Sequence, residues 1–132
     1  KMAAPDRDVV AIIGDGGYQM TIQELGTIFQ TKVPVKIVVL NNDFLGMVRQ
    51  WQELFFEKRY ASTDIKNPDF VAIAKGYSIE AKKVIKREDL AGAVKEMMAS
   101  KEAYFLEVSV EKEGNVFPMI QTGASVSDIR LS

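Results

Sequence analysis

The sequence predicts an α/β domain built as a parallel sheet flanked by helices. Three observations predict it: short β-branched apolar runs recur along the chain, helical stripes of apolar residues alternate with them, and cap and stop residues mark the changes. The first run, "DVVAII" (Asp8 to Ile13), is nearly continuous, as expected of a strand covered on both faces, and "VKIVVL" (Val35 to Leu40) repeats it. Between them, "MTIQELGTIFQTK" places Ile22, Leu25, Ile28 and Phe29 on one helical stripe, and Thr21 with Glu24 has capping-box spacing. The helix has room to begin a turn earlier, at Gly17 and Tyr18. Strand, helix and strand form a βαβ unit with parallel strands and a right-handed crossover.

The alternation continues. In "NPDFVAIAKGY", Asn67 is the expected N-cap, Pro68 the first helical residue and Gly76 the stop, with Phe70, Ile73, Ala74 and Tyr77 as the apolar stripe. A strand follows from Ile79 to Val84. "REDLAGAVKEMMAS" then puts Leu90, Ala93, Val94, Met97 and Met98 on one face, with acids in its first turn and both methionines in the core. "AYFLEVSV" is the last strand, and an irregular tail runs from Glu111, over residues 111–132. The segment "NNDFLGMVRQWQELFFEKRYASTD" carries a stripe of Leu45, Val48, Trp51, Gln52 and Phe55, with more aromatic residues than a solvated crossover needs. No repeat or linker divides the chain, so residues 1–132 form one domain. Its first residue is Lys1, with the hydrophobic pattern close behind, as expected of a cut edge in a longer protein.

Composition narrows the chemistry. The 132 residues include no Cys and no His, which removes thiolate nucleophiles, Cys-ligated zinc and the commonest general base. The formal net charge of -1 gives no basic field for nucleic acid, and Lys82, Lys83, Lys86 and Arg87 read as a solvated face. No apolar run reaches the roughly 18 residues of a membrane helix. This is the composition expected of a cytoplasmic protein with neither membrane nor nucleic acid as partner.

Chemistry concentrates in "AIIGDGGYQM". Asp15 lies just past the first strand, and Asn41 and Asn42 just past the second, where ligands gather in open α/β sheets. If those strands are neighbours, about 4.8 Å apart, the carboxylate and an amide oxygen converge on one patch. Hard oxygen donors suit Mg²⁺ or Ca²⁺, and Mg²⁺ commonly completes its shell with water and substrate phosphates. Gly16 and Gly17 let the backbone approach such a phosphate. Taken alone, "GDG" is as readily a tight turn; its combination with "NN" one helix later favours a ligand site.

"GDG", then residues Gly17 to Leu40, then "NN" resembles the metal and diphosphate signature of thiamine diphosphate enzymes. More narrowly, "GDGGYQMTIQEL", "VLNNDFLGMVRQWQELFFEKRY" and "NVFPMIQTGAS" resemble the carboxyl-terminal domain of the acetolactate (acetohydroxyacid) synthase large subunit over nearly the whole chain. The resemblance implies a thiamine diphosphate cofactor, with Mg²⁺ held by Asp15 and Asn42 side chains and the Phe44 carbonyl. It implies a diphosphate cradle around Gly14, Gly16 and Gly17, Met47 beside the cofactor, and Val48 and Trp51 shaping the pocket for the second 2-keto acid.

The activity so implied is decarboxylation of pyruvate and condensation of the two-carbon unit with pyruvate or 2-ketobutyrate, in branched-chain amino acid biosynthesis. The cofactor supplies the electron sink, so a chain without His or Cys can take part. In such enzymes the activating glutamate comes from another domain, of a partner subunit, and FAD occupies a middle domain. No catalytic residue is therefore expected in this chain, which is expected to be inactive alone. Implied partners are the rest of the large subunit, a second copy in a homodimer and a small regulatory subunit. Gln121 and Thr122 stand where relatives often carry Pro-Pro, which puts the ordering of the tail in question. Rival readings are another thiamine diphosphate enzyme, such as a pyruvate oxidase, decarboxylase or glyoxylate carboligase, and a non-catalytic module binding cofactor or contacting subunits through Phe55 and Phe56. "GMVRQWQ", on the substrate side, favours the synthase.

Overall fold

The apolar runs form the predicted sheet. The structure, a computed structural model, describes all 132 residues. Strands β1 (Val10–Gly14), β2 (Lys36–Asn41), β3 (Glu80–Val84) and β4 (Tyr104–Ser109) make one sheet in the order β1-β2-β4-β3, every pairing parallel. The helices are α1 (Asp15–Met20), α2 (Glu24–Thr31), α3 (Gly46–Phe55), α4 (Phe70–Gly76) and α5 (Arg87–Ala99). An antiparallel pair of short strands, β5 (Met119–Ile120) with β6 (Ile129–Arg130), is the only regular structure in the otherwise irregular tail.

Alternation along the strands separates two cores. Ile37, Val39, Ala81 and Phe105 face Tyr18, Leu25, Phe70 and Ala74, which come from α1, α2 and α4. On the opposite face, Val84, Tyr104, Leu106 and Val108 pack under Ala93 and Met97 of α5. Burying a side chain such as Phe105 or Leu106 contributes about 1.5–3 kcal/mol. Lys36 is buried at the start of β2, and burial holds its ammonium below the usual lysine range. Its Nζ donates to the Ser100 and Glu102 carbonyls, pinning the α5–β4 turn.

Several expectations need correction. β1 is an edge strand, and α5 covers only the β3–β4 half of its face, so Ile12 is 68% exposed rather than covered. The capping box does not form: Thr21 leaves helical backbone, its Oγ1 donates to the Gly17 carbonyl, and the single expected helix becomes α1 and α2. Phe29 and Met98 lie at the surface, whereas Leu25 and Met97 reach the core. Asn67 is not the cap of α4; Pro68 disfavours helical backbone before it, and Asp69 caps instead, accepting the Ala72 N–H at 2.9 Å. Lys83 is more than a solvated charge, because its Nζ donates to the buried Glu107 at 2.6 Å.

The Tyr18 hydroxyl is buried beside Phe70 and Phe105 with no hydrogen-bond partner. Burial above all, then Tyr77 and Glu107, push its phenol up to about 12. An unfolded tyrosine ionises near pH 10, so the native state holds this proton more tightly. The stability involved is complete below about pH 10 and falls as pH rises toward 12. Tyr18→Phe should leave stability at pH 7 unchanged or raised by up to about 1 kcal/mol. It should also flatten the alkaline decline seen in urea midpoints, leaving Tyr104, whose phenol is likewise raised by burial and its bond to Glu96, as the residual contribution. An undiminished decline in the Phe variant would contradict this assignment.

Candidate cofactor and metal site

The site begins with strand register. Gly14 of β1 pairs with Leu40 of β2, so both strands end at the same level and the residues after them meet. Asp15 is the first residue of α1, yet only 1% exposed. Its Oδ2 accepts the Asp43 N–H at 2.9 Å and the Asn67 Nδ2 at 2.7 Å, while Oδ1 accepts only the Gly16 N–H at 3.0 Å. Asp43 adopts φ 55°, a left-handed conformation that Asp tolerates in a tight turn. A carboxylate has about four acceptor positions, so Oδ1 retains capacity for a further ligand.

A cleft of about 480 Å³ opens over these strand tips. Its walls include Asp15, Gly16, Gly17, Asn42, Phe44 and Met47, and Gly14 and Val48 border it as well. Trp51 does not line it. Trp51 belongs to an adjoining groove of about 530 Å³ with Gln52, Phe56 and Arg59, and Val48 is shared between the two. The register thus brings the expected metal and cofactor residues together and sets the expected substrate residues next door.

The donor set fits a small hard cation. Asn42 Oδ1 is oriented by the Phe44 N–H at 3.2 Å, and the Phe44 carbonyl accepts none of the main-chain bonds that tie the neighbouring turns. No cluster of three acidic side chains is present. A carboxylate, an amide oxygen and a carbonyl match the few protein ligands Mg²⁺ takes when phosphate and water supply the rest. Two glycines let the side chains of the site pack close. A Cβ on Gly16 would meet Leu45 Cδ2 at 2.6 Å, and one on Gly46 would come within 3.3 Å of Asn42 Nδ2.

Helix α3 is turned opposite to its stripe. Its buried residues are Arg49 and Gln50, while Met47 and Val48 are about half exposed beside the cleft. The polar side faces the tail. Gln50 Nε2 donates to the Val116 carbonyl at 2.9 Å and its Oε1 accepts the Val116 N–H at 2.8 Å. Arg49 pairs with Glu53 at 2.9 Å and donates to the Glu113 carbonyl and Asn115 Oδ1 at 3.4 Å. The segment so fastened carries Gly114 and Val116 into the cleft wall. The tail's start is therefore anchored even without the Pro-Pro pair.

Sequence reasoning missed Asn67, Asp43, Gln50 and Glu107. Asn67 was legible only as a cap, because the residue it serves lies 52 positions earlier. Glu107 had a signal: an acid in the middle of "AYFLEVSV", a strand that is otherwise apolar, needs a buried partner.

The fold and site define a cofactor-binding domain of thiamine-dependent enzymes, and the comparisons agree. Residues 1–108 match the family described as "Thiamine pyrophosphate enzyme, C-terminal TPP binding domain", and the chain belongs to that family. Within it, the chain is similar to acetolactate synthases. It is 42% identical over 130 residues to the acetolactate synthase isozyme 2 large subunit of Escherichia coli (strain K12), covering 98% of this chain and 24% of that protein. It is 46% identical over 125 residues to the mitochondrial acetolactate synthase of Schizosaccharomyces pombe, covering 95% and 19%. Among solved structures, the Rhodococcus jostii RHA1 thiamine diphosphate-dependent 4-hydroxybenzoylformate decarboxylase matches with a TM-score of 0.77 and 33% identity, over 83% of this chain and 21% of that one. The chain thus spans about a quarter or less of the length of these relatives.

Gln50→Ala should release the tail. Removing both amide bonds leaves the Val116 N–H and carbonyl without partners, at a cost of about 1–3 kcal/mol. Hydrogen exchange at residues 113–119 should quicken by at least about tenfold while β2 and β4 stay protected. Unchanged protection across the tail would show that Gln50 does not fasten it.

Proposed function

We propose that this chain is the thiamine diphosphate- and Mg²⁺-binding unit of an acetolactate synthase large subunit. The observation that carries the reading is the buried Asp15 carboxylate, held at the tip of β1 with Oδ1 underused, beside Asn42 and the free Phe44 carbonyl in a glycine-floored cleft. Asp15, Asn42 and the Phe44 carbonyl would hold Mg²⁺. The main chain around Gly14, Gly16 and Gly17 would border the diphosphate, and Met47 the rest of the cofactor. When bound, thiamine diphosphate supplies the electron sink for decarboxylating pyruvate and for joining the two-carbon unit to a second 2-keto acid.

The residues of this chain then bind, orient and exclude water. Val48 lies between the two grooves, so it separates cofactor from the second 2-keto acid, whose pocket Trp51 shapes. The apolar lining of the cleft, Leu40, Leu45, Val110 and Val116 among it, disfavours bulk water around the reacting carbons. We further propose that carboligation to pyruvate or 2-ketobutyrate serves branched-chain amino acid biosynthesis and that the enzyme works in the cytoplasm. The activating glutamate, the FAD site, the second subunit of a homodimer and a small regulatory subunit lie outside these 132 residues. Identity of 42% and 46% to acetolactate synthases, against 33% to the decarboxylase, supports this reading over another thiamine diphosphate enzyme.

Calorimetric titration with thiamine diphosphate tests the site. Binding should require Mg²⁺ and should weaken at least about tenfold in Asp15→Asn, which keeps the side chain's shape but removes its charge. Binding that ignores the cation would defeat the ligand assignment. The 132-residue chain alone, given cofactor, Mg²⁺ and pyruvate, should form no acetolactate; steady product formation would refute the need for residues supplied from elsewhere.

A further inference from the structure

One buried carboxylate takes no part in the chemistry above. Glu107 is 2% exposed, in the middle of β4, the central strand between β2 and β3. Its Oε1 accepts Lys83 Nζ at 2.6 Å and Asn41 Nδ2 at 2.8 Å. The donors point one way, from Gln19 through Asn67 and Asn41 to Glu107, and Asp15 accepts a branch from Asn67. Asn41 Oδ1, left at the other end of its amide, accepts Asn67 Nδ2 at 2.9 Å and the Asp43 N–H at 3.1 Å. Asn67 Nδ2 and the same Asp43 N–H also donate to Asp15 Oδ2, at 2.7 and 2.9 Å. Asn67 Oδ1 in turn accepts Gln19 Nε2 at 2.6 Å.

The direction is forced by chemistry. An asparagine amide can present oxygen or nitrogen to a neighbour, and the two ends differ only by a flip. A carboxylate facing the ammonium of Lys83 accepts and does not donate, so Asn41 must turn its nitrogen toward Glu107 and its oxygen away. That oxygen calls for donors, which turns the nitrogen of Asn67 inward. A flipped Asn67 would set its oxygen against Asp15 Oδ2, Asn41 Oδ1 and Asp43 Oδ1, the last of which now accepts from it at 2.9 Å.

The geometry points to Glu107 as a positioning residue for Asp15, acting through Asn41 and Asn67 to occupy Oδ2 and leave Oδ1 for the cation. This deepens the proposed function and rests on it. Glu107 touches neither cofactor nor cation; it sets the polarity of two amides and so presents the carboxylate before any ligand arrives. Partners of this kind typically matter about 10–100-fold in metal affinity.

The test uses Mn²⁺ as the probe, its binding to the intact protein followed by electron paramagnetic resonance at saturating thiamine diphosphate, below the melting temperature of every variant. Glu107→Gln keeps an acceptor but can also donate, so it no longer enforces the direction; Asn67→Ala deletes the last link. Each should weaken Mn²⁺ binding about 10–100-fold, and the double variant should lose little more than the worse single one, because both act along one chain. Wild-type affinity in both single variants would overturn the positioning role while leaving the cofactor reading intact. Fully additive losses would overturn it too, since independent structural damage adds. If the unsubstituted protein itself binds Mn²⁺ no better with thiamine diphosphate than without, the cofactor reading fails and takes this inference with it.

A second measurement needs no variant. In the unsubstituted protein without metal, the side-chain amide protons of Asn41 and Asn67 should exchange with solvent at least about tenfold slower by nuclear magnetic resonance than those of asparagine in an unstructured peptide. Exchange of both at the rate of free asparagine would overturn the proposal even if Glu107→Gln fails to fold.

Discussion

Parallel pairing of β1 with β2 is the constraint on which everything else depends. Strands joined by a crossover helix run the same way, so their carboxyl ends fall on one edge, and the register of Gly14 with Leu40 makes them end together. A slip of one residue would reverse the faces of β1, burying Val10 and Ile12 in place of Ala11 and Ile13. It would also carry Asp15 away from Asp43 and Asn67, which now hold it. The apolar core therefore fixes the site indirectly: Ile37, Val39 and Phe105 set the register, and the register aligns the polar groups above them.

The polar layer at the strand tips follows from that alignment. Burying the Asp15 and Glu107 carboxylates costs free energy unless each is bonded, and the intervening Asn41 and Asn67 bond both. Asparagine suits this position because it is short and joins a donor to an acceptor. Lys83 offsets the charge of Glu107 from the neighbouring strand, at the level where the sheet opens to solvent.

How much of this was legible in the sequence depended on the range of each interaction. The four sheet strands, the crossover helices and the meeting of Asp15 with the Asn41-Asn42 pair follow from local periodicity and from the rule that ligands collect at strand carboxyl ends. The break between α1 and α2 did not, because the Thr21 hydroxyl turned back on Gly17 instead of capping forward. The inward side of α3 was misread for a different reason. Val48, Trp51 and Phe55 look like a core stripe, but what packs against the other side is the tail, more than sixty positions on, through main-chain groups with no pattern in the sequence. Asn67 was hidden likewise, since its role depends on the distant Asp15 and Asn41 and not on the helix beside it.

The grip of Gln50 on the tail is directed at the backbone of Val116, not at its side chain. Almost any residue offers the same amide and carbonyl, so position 116 is free to vary in size and polarity without unseating the segment that bears it. Anchorage and selectivity are thereby divided between main chain and side chain, and substitutions there can reshape the cavity wall while the wall itself stays where it is.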